Sequence, residues 1–238
     1  MPPPPGRPHG TPPMPARFST IEAAVAAIRR GEVVIVVDAE DRENEGDFVC
    51  AADKATSGIV NFMITHGRGQ VCMSILPDVA KRLDLPPMVQ ANSTPLGTAF
   101  TVPVDHVTAR TGITAAERAA AIAAILDPES RPADFVRPGH LFPLIAKEGG
   151  VLRRAGHTEA AMDLARLAGS PPAGVLCEIL DEAGNRADRD GLFALAREHG
   201  LEIISIEQLI RHRRQREKLV HRIAEADLPT RWGRFRVI

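Results

Sequence analysis

The sequence lacks the features that would assign it to several common protein classes. Its 238 residues include three cysteines without a Cys-x-x-Cys pair, and the formal net charge is -1. Three isolated cysteines are typical of reduced thiols in a cytoplasmic protein, not of a disulfide framework or a thiolate zinc site. The near-neutral charge gives no indication of a general attraction to nucleic acid or to a membrane surface.

Other familiar signals are missing as well. No apolar run approaches the roughly 18 residues that cross a bilayer. The Pro- and Gly-rich N-terminus has no apolar segment of a secretory signal, so residues 1–17 are predicted to form a disordered leader. No Gly-x-x-x-x-Gly-Lys loop or Gly-x-Ser-x-Gly elbow occurs, which argues against a P-loop nucleotidase and an α/β-hydrolase.

An acidic segment is the most informative feature of the chain. Residues 38–47 contain six carboxylates and directly follow the apolar run 33–37, which is typical of a buried strand. Carboxylates so close together repel each other, and a hard divalent cation such as Mg²⁺ would relieve that repulsion. In an extended chain Glu43, Glu45 and Asp47 would project from one face. A solvated acidic loop is the alternative interpretation.

Strand-like and helix-like segments interleave along the chain, which predicts an α+β sheet domain. The predicted strands share apolar or β-branched content and cover residues 33–37, 48–51, 70–76, 98–104, 141–146, 174–180 and 201–204. The predicted helices share apolar periodicity or capping signals and cover residues 20–30, 57–66, 78–83, 115–126, 158–168, 188–199 and the segment after 205. Ser19 is the predicted N-cap of the first helix.

A second informative segment is residues 154–158. Arg154 offers two parallel donors that suit a phosphate, and Gly156 allows a ligand to approach the backbone closely. His157 or Thr158 would begin a helix, whose free N–H groups favour an anion. The pattern suits a phosphorylated small molecule. Thr158 acting simply as a helix N-cap is the alternative interpretation.

Three further side chains are candidates for metal binding or proton transfer. A neutral His157 imidazole could join the carboxylates around a divalent ion, although a lone loop histidine is more often exposed or hydrogen-bonded. His140 follows Arg-Pro-Gly and is predicted to lie in a turn, either facing a cleft or in an ordinary surface loop. Glu178 interrupts an apolar strand and is either a buried acid–base group or faces water from an edge strand.

The last helix is strongly basic. Six of its side chains are cationic, namely Arg211, Arg213, Arg214, Arg216, Lys218 and Arg222. These charges could form an RNA-binding patch, but at neutral overall charge a solvated helix or an interdomain linker is the favoured interpretation.

Several motifs together resemble the 3,4-dihydroxy-2-butanone 4-phosphate synthase family. They occur in family order over about residues 18–214 and are DRENEGD at 41–47, THGRG at 65–69, GTAFTV at 97–102, RPGHLFPL at 137–144, RAGHTEA at 154–160 and PAGVLCE at 172–178. The resemblance implies a single-domain α/β sandwich of the α+β class. It also implies a homodimer with active sites near the subunit interface.

The resemblance implies a reaction and a cofactor. The family converts D-ribulose 5-phosphate to 3,4-dihydroxy-2-butanone 4-phosphate and formate in riboflavin biosynthesis. Mg²⁺ (or Mn²⁺) is its only cofactor, and two ions per site are expected. No nucleic-acid or membrane partner is expected.

By motif, the resemblance also assigns roles to individual residues. Glu43 and His157 are expected to hold the metal, with Glu45 a weaker candidate for the second ion. The expected phosphate site is the segment 154–158, with Arg154, Ala155, Gly156 and Thr158. Arg42 and Asp47 are expected to position the sugar, and His140 and Glu178 to transfer protons.

Three short segments depart from the family pattern. They are Arg110-Thr111-Gly112, where two threonines usually precede the glycine, Glu117-Arg118, where Asp-Arg is usual, and the turn at residues 184–187. The metal and phosphate motifs are intact.

The C-terminal residues 215–238 resemble a linker and the start of a GTP cyclohydrolase II domain. The zinc-binding cysteines of that domain are absent, so we expect no cyclohydrolase activity from this chain. The tail would be either the cut end of a bifunctional protein or a vestigial extension, poorly packed without a fused or separate cyclohydrolase partner.

Two other functions are weighed against the enzyme. A catalytically silent relative could serve as an assembly module for a cyclohydrolase, which intact Glu43, His157, His140 and Glu178 count against. An RNA-binding module would act through the basic helix, and the neutral net charge and lack of an interleaved aromatic platform count against it.

Overall fold

A seven-stranded mixed sheet forms the centre of the protein, in the strand order β4-β5-β3-β6-β2-β1-β7. The computed structural model describes residues 17–218 and 223–237, so nearly all of the predicted disordered leader lies outside the described residues. The strands are β1 (Val34–Val37), β2 (Gly46–Ala51), β3 (Arg68–Ile75), β4 (Val104–His106), β5 (Phe135–Ile145), β6 (Gly174–Ile179) and β7 (Ile203–Ser205). Pairs β1–β7 and β3–β5 are parallel, and the other neighbours are antiparallel.

Helices cover both faces of the sheet. They are α1 (Ile21–Arg30), α2 (Ser57–Phe62), α3 (Pro77–Arg82), α4 (Ala115–Leu126), α5 (His157–Leu167), α6 (Arg189–His199) and α7 (Ile206–Arg216), and a π-helical turn at Met63–Gly67 follows α2. Because strand side chains alternate, Ile35 and Phe48 pack in the core under α2, α3, α4 and α6, whereas Val36 and Val49 pack in the core under α1, α5 and α7. This layered α+β sandwich is the predicted fold class.

Local capping chemistry explains several helix ends. Thr114 and Glu117 form the capping box of α4, and Ser205 and Gln208 form that of α7. The prediction that Ser19 caps α1 is wrong, because the Thr20 side chain accepts from the Ala23 N–H instead. The Ser19 hydroxyl accepts from the Ile203 N–H at 3.2 Å and so ties the chain to β7.

Two predictions around the β4 edge are wrong, one of a strand and one of a turn. Residues 98–103 form no strand; only isolated bridges join Thr101 to Pro87 and Phe100 to Leu144, and β4 begins after Pro103, which has no N–H to donate to a ladder. Residues 137–140 lie within β5, not in a turn. A Cβ on Gly139 would lie 2.0 Å from the Val104 carbonyl carbon, so the missing side chain lets β5 approach β4 closely where the register between the two strands shifts.

The C-terminal residues form a separate hairpin of β8 (Ala226–Thr230) and β9 (Gly233–Val237). Its side chains are mostly exposed, including Leu228, Trp232 and Phe235. Among the described residues, no helix combines the length and apolar character needed to cross a membrane.

Candidate active site

The sheet brings the ends of three strands together on the face covered by α5. Asp47 at the start of β2 pairs with Glu178 near the end of β6, and both point to the same face as Val49 and Leu176. The Glu178 carboxylate accepts a hydrogen bond from the Gln70 N–H in β3 at 3.1 Å. Glu178 lies on a central strand and is half-buried, so the alternative of an edge strand facing water does not apply.

The acidic segment between β1 and β2 folds around Asp38. Its buried carboxylate accepts from the N–H groups of Glu43 and Glu45 at 3.0 and 2.9 Å and from the Arg42 guanidinium at 2.9 Å. Asn44 has a positive φ of 52°, so the segment turns and the condition of an extended chain is not met. Glu43, Glu45 and Asp47 nevertheless remain close together because the turn brings them around one histidine.

That histidine is His157, the first residue of α5. Its Nε2 lies 3.1 Å from the Val36 carbonyl oxygen, which can only accept, so Nε2 carries a proton. Its Nδ1 lies 3.8 Å from a carboxylate oxygen of Glu43 and 3.8 Å from one of Asp47. In the neutral ring, the lone pair of Nδ1 therefore faces both acids.

The proximity of these groups shifts their pKa values in opposite directions. Interaction with the His157 side chain, together with Arg42, lowers the pKa of Glu43 to about 2. Burial raises the pKa of Asp47 to about 8. Burial alone would lower the pKa of His157, but Asp47 and Glu43 outweigh it and raise that pKa to about 9. Asp47 and His157 therefore bind protons more tightly than the isolated side chains do when no cation is present.

The donor set fits a hard divalent cation. Two groups of ligand atoms, from Asp38, Glu43 and His157 and from Glu45, Asp47 and His157, each lie within 4.8 Å of one another. The buried Oδ1 of Asp47 has no hydrogen-bond partner, which is costly unless a cation or proton occupies the space beside it. Carboxylate oxygens with one imidazole suit Mg²⁺ or Mn²⁺.

A second part of the site is the N-terminus of α5. The alternative interpretation of Thr158 as a helix N-cap is wrong, because Gly156 occupies the cap position and provides no side-chain hydrogen bond. The Arg154 guanidinium lies beside it and donates to Glu159 at 2.8 Å and to Thr98 at 3.3 Å. A Cβ on Gly156 would lie 2.2 Å from Nη1 of Arg154, so glycine allows the guanidinium to approach the helix end.

A cavity of about 120 Å³ joins the two parts of the site. Seven predicted site residues line it: Arg42, Glu43, Asp47, Arg154, His157, Thr158 and Glu178. Glu45 lines it as well, whereas Ala155, Gly156 and His140 do not. Further lining residues that had not been singled out are Gln70, Cys72, Thr98, Phe100, Leu144 and Leu176. Four of them lie in the GTAFTV, RPGHLFPL and PAGVLCE motifs, and Gln70 and Cys72 lie in the predicted strand 70–76, but no local pattern distinguishes them as cavity residues.

His140 does not line this cavity, but it lies on β5, which pairs with the cavity strand β3. It precedes Phe142 by two residues in β5, and Phe142 pairs with Cys72, which lines the cavity. Its Nδ1 lies 2.8 Å from a carboxylate oxygen of Asp105. Neither the location of His140 in a strand nor its contact with the buried Asp105 carboxylate was predicted from the sequence.

A larger cavity of about 390 Å³ lies on the other side of the acidic segment. His66, Arg68, Asp181 and Arg186 are among its lining residues, and Arg186 donates to the Glu43 carbonyl oxygen. It contains none of the groups around His157, so its size alone does not make it the site of chemistry.

Comparisons with known proteins agree with the geometry. The family model for 3,4-dihydroxy-2-butanone 4-phosphate synthase matches residues 22–212. The riboflavin biosynthesis protein RibBA of Bacillus subtilis (strain 168) is 54% identical over 220 residues, which are 92% of this chain and 55% of that protein. This chain therefore spans about half the length of that curated relative.

Solved structures show the same fold. RibBX from A. baumannii, described as a two-domain 3,4-dihydroxy-2-butanone 4-phosphate synthase, matches with a TM-score of 0.86 and 47% identity over 92% of this chain and 65% of that chain. A 3,4-dihydroxy-2-butanone 4-phosphate synthase in complex with two magnesium ions matches with a TM-score of 0.81 and 40% identity, covering 85% of this chain and all of that chain.

Proposed function

The chain belongs to the 3,4-dihydroxy-2-butanone 4-phosphate synthase family, and we propose that it is an active enzyme of riboflavin biosynthesis. It converts D-ribulose 5-phosphate to 3,4-dihydroxy-2-butanone 4-phosphate and formate. The observation that carries this proposal is the buried His157, whose Nδ1 lies 3.8 Å from both Glu43 and Asp47 beside the N-terminus of α5. A metal site and an anion site thus share one cavity.

Glu43 and His157 would hold Mg²⁺ or Mn²⁺, and Glu45 is the candidate for a second ion. The related structure with two magnesium ions supports a two-ion site. When bound, the ions would act as Lewis acids that stabilise negative charge on adjacent substrate oxygens. The Val36 carbonyl fixes the His157 tautomer and so keeps Nδ1 available as a ligand.

The substrate phosphate would bind at the start of α5, where backbone N–H groups have no side-chain cap. The segment with Arg154, Ala155, Gly156 and Thr158 would surround it. Arg154 is held by Glu159, so its guanidinium is already oriented toward the helix end. Arg42 and Asp47 would position the sugar hydroxyl groups at the other end of the cavity.

Glu178 and His140 would transfer the protons. The reaction requires enediol formation, loss of a hydroxyl group, a skeletal shift and hydrolytic loss of C4 as formate. Each step moves a proton to or from carbon or oxygen, which demands an acid or base within reach of the substrate. Glu178 lines the cavity, and His140 lies on β5 two residues before Phe142, whose partner Cys72 lines it, so we assign the proton transfers to these two residues.

We propose that the enzyme is a homodimer in the cytoplasm. Exposed large apolar side chains occur on the segment after α3 and around the β4 edge, at Met88, Val89, Leu96, Val107, Ile113 and Val136. Apolar surface of this kind is typical of a protein–protein interface. The Leu96 carbonyl accepts from Arg154, so a partner covering this segment would lie close to the active site.

We also propose that residues 18–214 form the synthase domain and that residues 215–238 lead toward a GTP cyclohydrolase II, fused or separate. The length of the RibBA relative and the separate β8–β9 hairpin support this arrangement. Removal of residues 218–238 should leave formate release unchanged, and its loss would contradict the domain boundary.

The decisive experiment follows formate by NMR after adding D-ribulose 5-phosphate and Mg²⁺, with and without a chelator. We expect chelator-sensitive formate from the wild type and none from Glu43→Ala or His157→Ala. Glu40→Ala is the matched control, because Glu40 belongs to the same acidic segment but is exposed and forms an ion pair with Arg189, away from the His157 cluster. No formate from a folded, Mg²⁺-loaded wild type would refute the activity and favour a silent assembly module.

A further inference from the structure

The structure assigns a positioning role to Asp105, a buried acid that none of the family motifs in the sequence contains. We propose that Asp105 fixes the ring orientation and tautomer of His140 for proton transfer. The inference rests on the proposed function, in which His140 is an acid–base residue. The evidence for it is two contacts of Asp105 in β4 with His140 in β5.

Asp105 holds His140 with both of its carboxylate oxygens. Oδ1 accepts from the His140 backbone N–H at 2.8 Å, and Oδ2 lies 2.8 Å from the ring Nδ1. A carboxylate can only accept, so Nδ1 carries the proton. In the neutral ring, Nε2 then presents its lone pair away from Asp105. His140 is thereby prepared to act as a base through Nε2.

The surroundings of Asp105 are built to hold its carboxylate in place. Asp105 is buried, and Gly112 packs directly against it with a φ of 82°. A Cβ on Gly112 would lie 1.9 Å from Oδ2 of Asp105, so only glycine allows this contact. A Cβ on Gly139 would likewise lie 2.2 Å from the Asp105 backbone nitrogen.

The loop that carries Gly112 is itself anchored. The Glu117 carboxylate accepts from the N–H groups of Arg110, Thr111 and Gly112 at 2.7, 3.2 and 3.1 Å. These bonds fix the loop against the start of α4 and thus against Asp105. The carboxylate is therefore confined on one side by β5 and on the other by this loop, and it contacts the His140 ring through Nδ1.

The His140 ring is in a position to use this orientation. It lies on the sheet face of Phe142 and Leu144, and Leu144 lines the active-site cavity. Its side chain remains 43% exposed although the acid behind it is buried. The partly exposed His140 ring, hydrogen-bonded through Nδ1 to a buried carboxylate, resembles the base and orienting acid of other acid–base sites.

The first test reads the tautomer directly, without substrate. ¹⁵N NMR of the full chain with labelled histidine, at alkaline pH where the imidazole is neutral, should show His140 with a protonated Nδ1 and a lone pair on Nε2. His140→Gln identifies the signals. In Asp105→Asn the amide can donate to Nδ1, so the tautomer should switch to a protonated Nε2. A wild-type ring with its lone pair on Nδ1 would overturn the proposal, whether or not the variant folds.

The second test follows kinetics. Asp105→Asn should lower kcat for formate release by about 10²- to 10⁴-fold with little change in KM, because the orientation matters in proton transfer more than in binding. Asp134→Asn is the matched control, since Asp134 accepts from the Arg131 N–H and does not contact His140. Equal kcat in Asp105→Asn and wild type would refute the role of Asp105 alone. An inactive wild type would refute the proposed function and with it the catalytic part of this role. The NMR measurement of the His140 tautomer does not depend on activity and tests the contact with Asp105 by itself.

Discussion

His157 is a buried imidazole between two carboxylates, and at the scale of single residues its protonation state governs how the site holds a cation. Its Nε2 proton is used by the Val36 carbonyl, so a metal ion and a proton compete for Nδ1. Glu43 and Asp47 raise the pKa of His157 to about 9 in the absence of metal. Near neutral pH a cation can therefore bind only by displacing a proton.

Mg²⁺ binding should consequently release protons at pH 7.5, and the affinity should rise as the pH is raised toward 9. The sign follows from the raised pKa values of His157 and Asp47, since both groups hold protons below them and must lose those protons to act as ligands. Titration calorimetry in buffers of different ionisation enthalpy measures the released protons. Glu40→Gln should retain the release and His157→Gln should reduce it; a binding enthalpy independent of the buffer would contradict this prediction.

At the scale of elements, α7 shows why a run of arginines is not by itself an RNA-binding surface. Arg213 points inward and is 4% exposed, and it donates to Asp163 of α5 at 2.7 Å and to the Gly149 carbonyl at 2.8 Å. Arg211 on the same helix is exposed and forms an ion pair with the exposed Glu207. Arg213 therefore has a structural role, since it joins α7 to α5, the helix that begins with His157.

Arg213→Ala should destabilise the protein by about 3–5 kcal/mol, because it breaks the buried ion pair with Asp163. The Asp163 carboxylate would keep the Val151 N–H at 2.8 Å and the more exposed Arg166 at 3.5 Å, which do not replace a buried cation. Arg211→Ala should change the free energy of unfolding by less than about 0.5 kcal/mol. Urea unfolding followed by circular dichroism measures both values. Similar effects of the two substitutions would show that the buried pair contributes no more than the exposed one.

The irregular start of β3 is the second feature at this scale. The β3–β6 register shifts between Arg68 and Val71, and Gly69 lies in the shifted segment against Glu178. A Cβ on Gly69 would lie 2.2 Å from the Glu178 carbonyl oxygen. The glycine therefore allows β3 to lie close enough for Gln70 to donate to the Glu178 carboxylate.

Gly69→Ala should lower both stability, by about 1–3 kcal/mol, and kcat, because the added methyl forces β3 away from Glu178. The matched control is Gly58→Ala in α2, where a Cβ would meet only the Thr56 hydroxyl at 3.7 Å. That control should leave both quantities nearly unchanged or raise the stability slightly. Urea unfolding and formate release measure the two effects, and a fully active Gly69→Ala would show that this approach is not needed for Glu178.

At the scale of the whole molecule, the exposed apolar side chains near the β4 edge are the surface through which we expect two chains to form a dimer. We expect a particle of twice the mass of the chain in sedimentation equilibrium. Val89→Asp should shift the equilibrium toward monomer and lower activity, since a charge in an apolar interface is unfavourable. Ile223→Asp, at an exposed position ahead of the C-terminal hairpin, is the control. A monomer with full activity would contradict the proposed dimer.

Much of the architecture was predictable because its causes are local. Capping boxes at Thr114 and Ser205 mark helix starts, and the run 33–37 predicts the buried β1 that precedes the acidic segment. Where local signals conflict, the prediction is wrong. Residues 137–140 resemble a turn by composition, yet they lie within β5, between Val136 and Leu141, which both pair with β4. Tertiary pairing outweighs turn preference there.

The sequence by itself determined the α+β class, the family and the segments that supply the candidate ligands, because motifs and short-range periodicity are written in neighbouring residues. Only the tertiary structure decided which atoms meet. The His157 tautomer depends on Val36, 121 residues away, and Glu178 contacts Gln70 across 108 residues. Asp105 lies 35 residues from His140, on a strand joined to it only through sheet pairing. Such contacts arise when distant strands are brought into register, and no local pattern encodes that register.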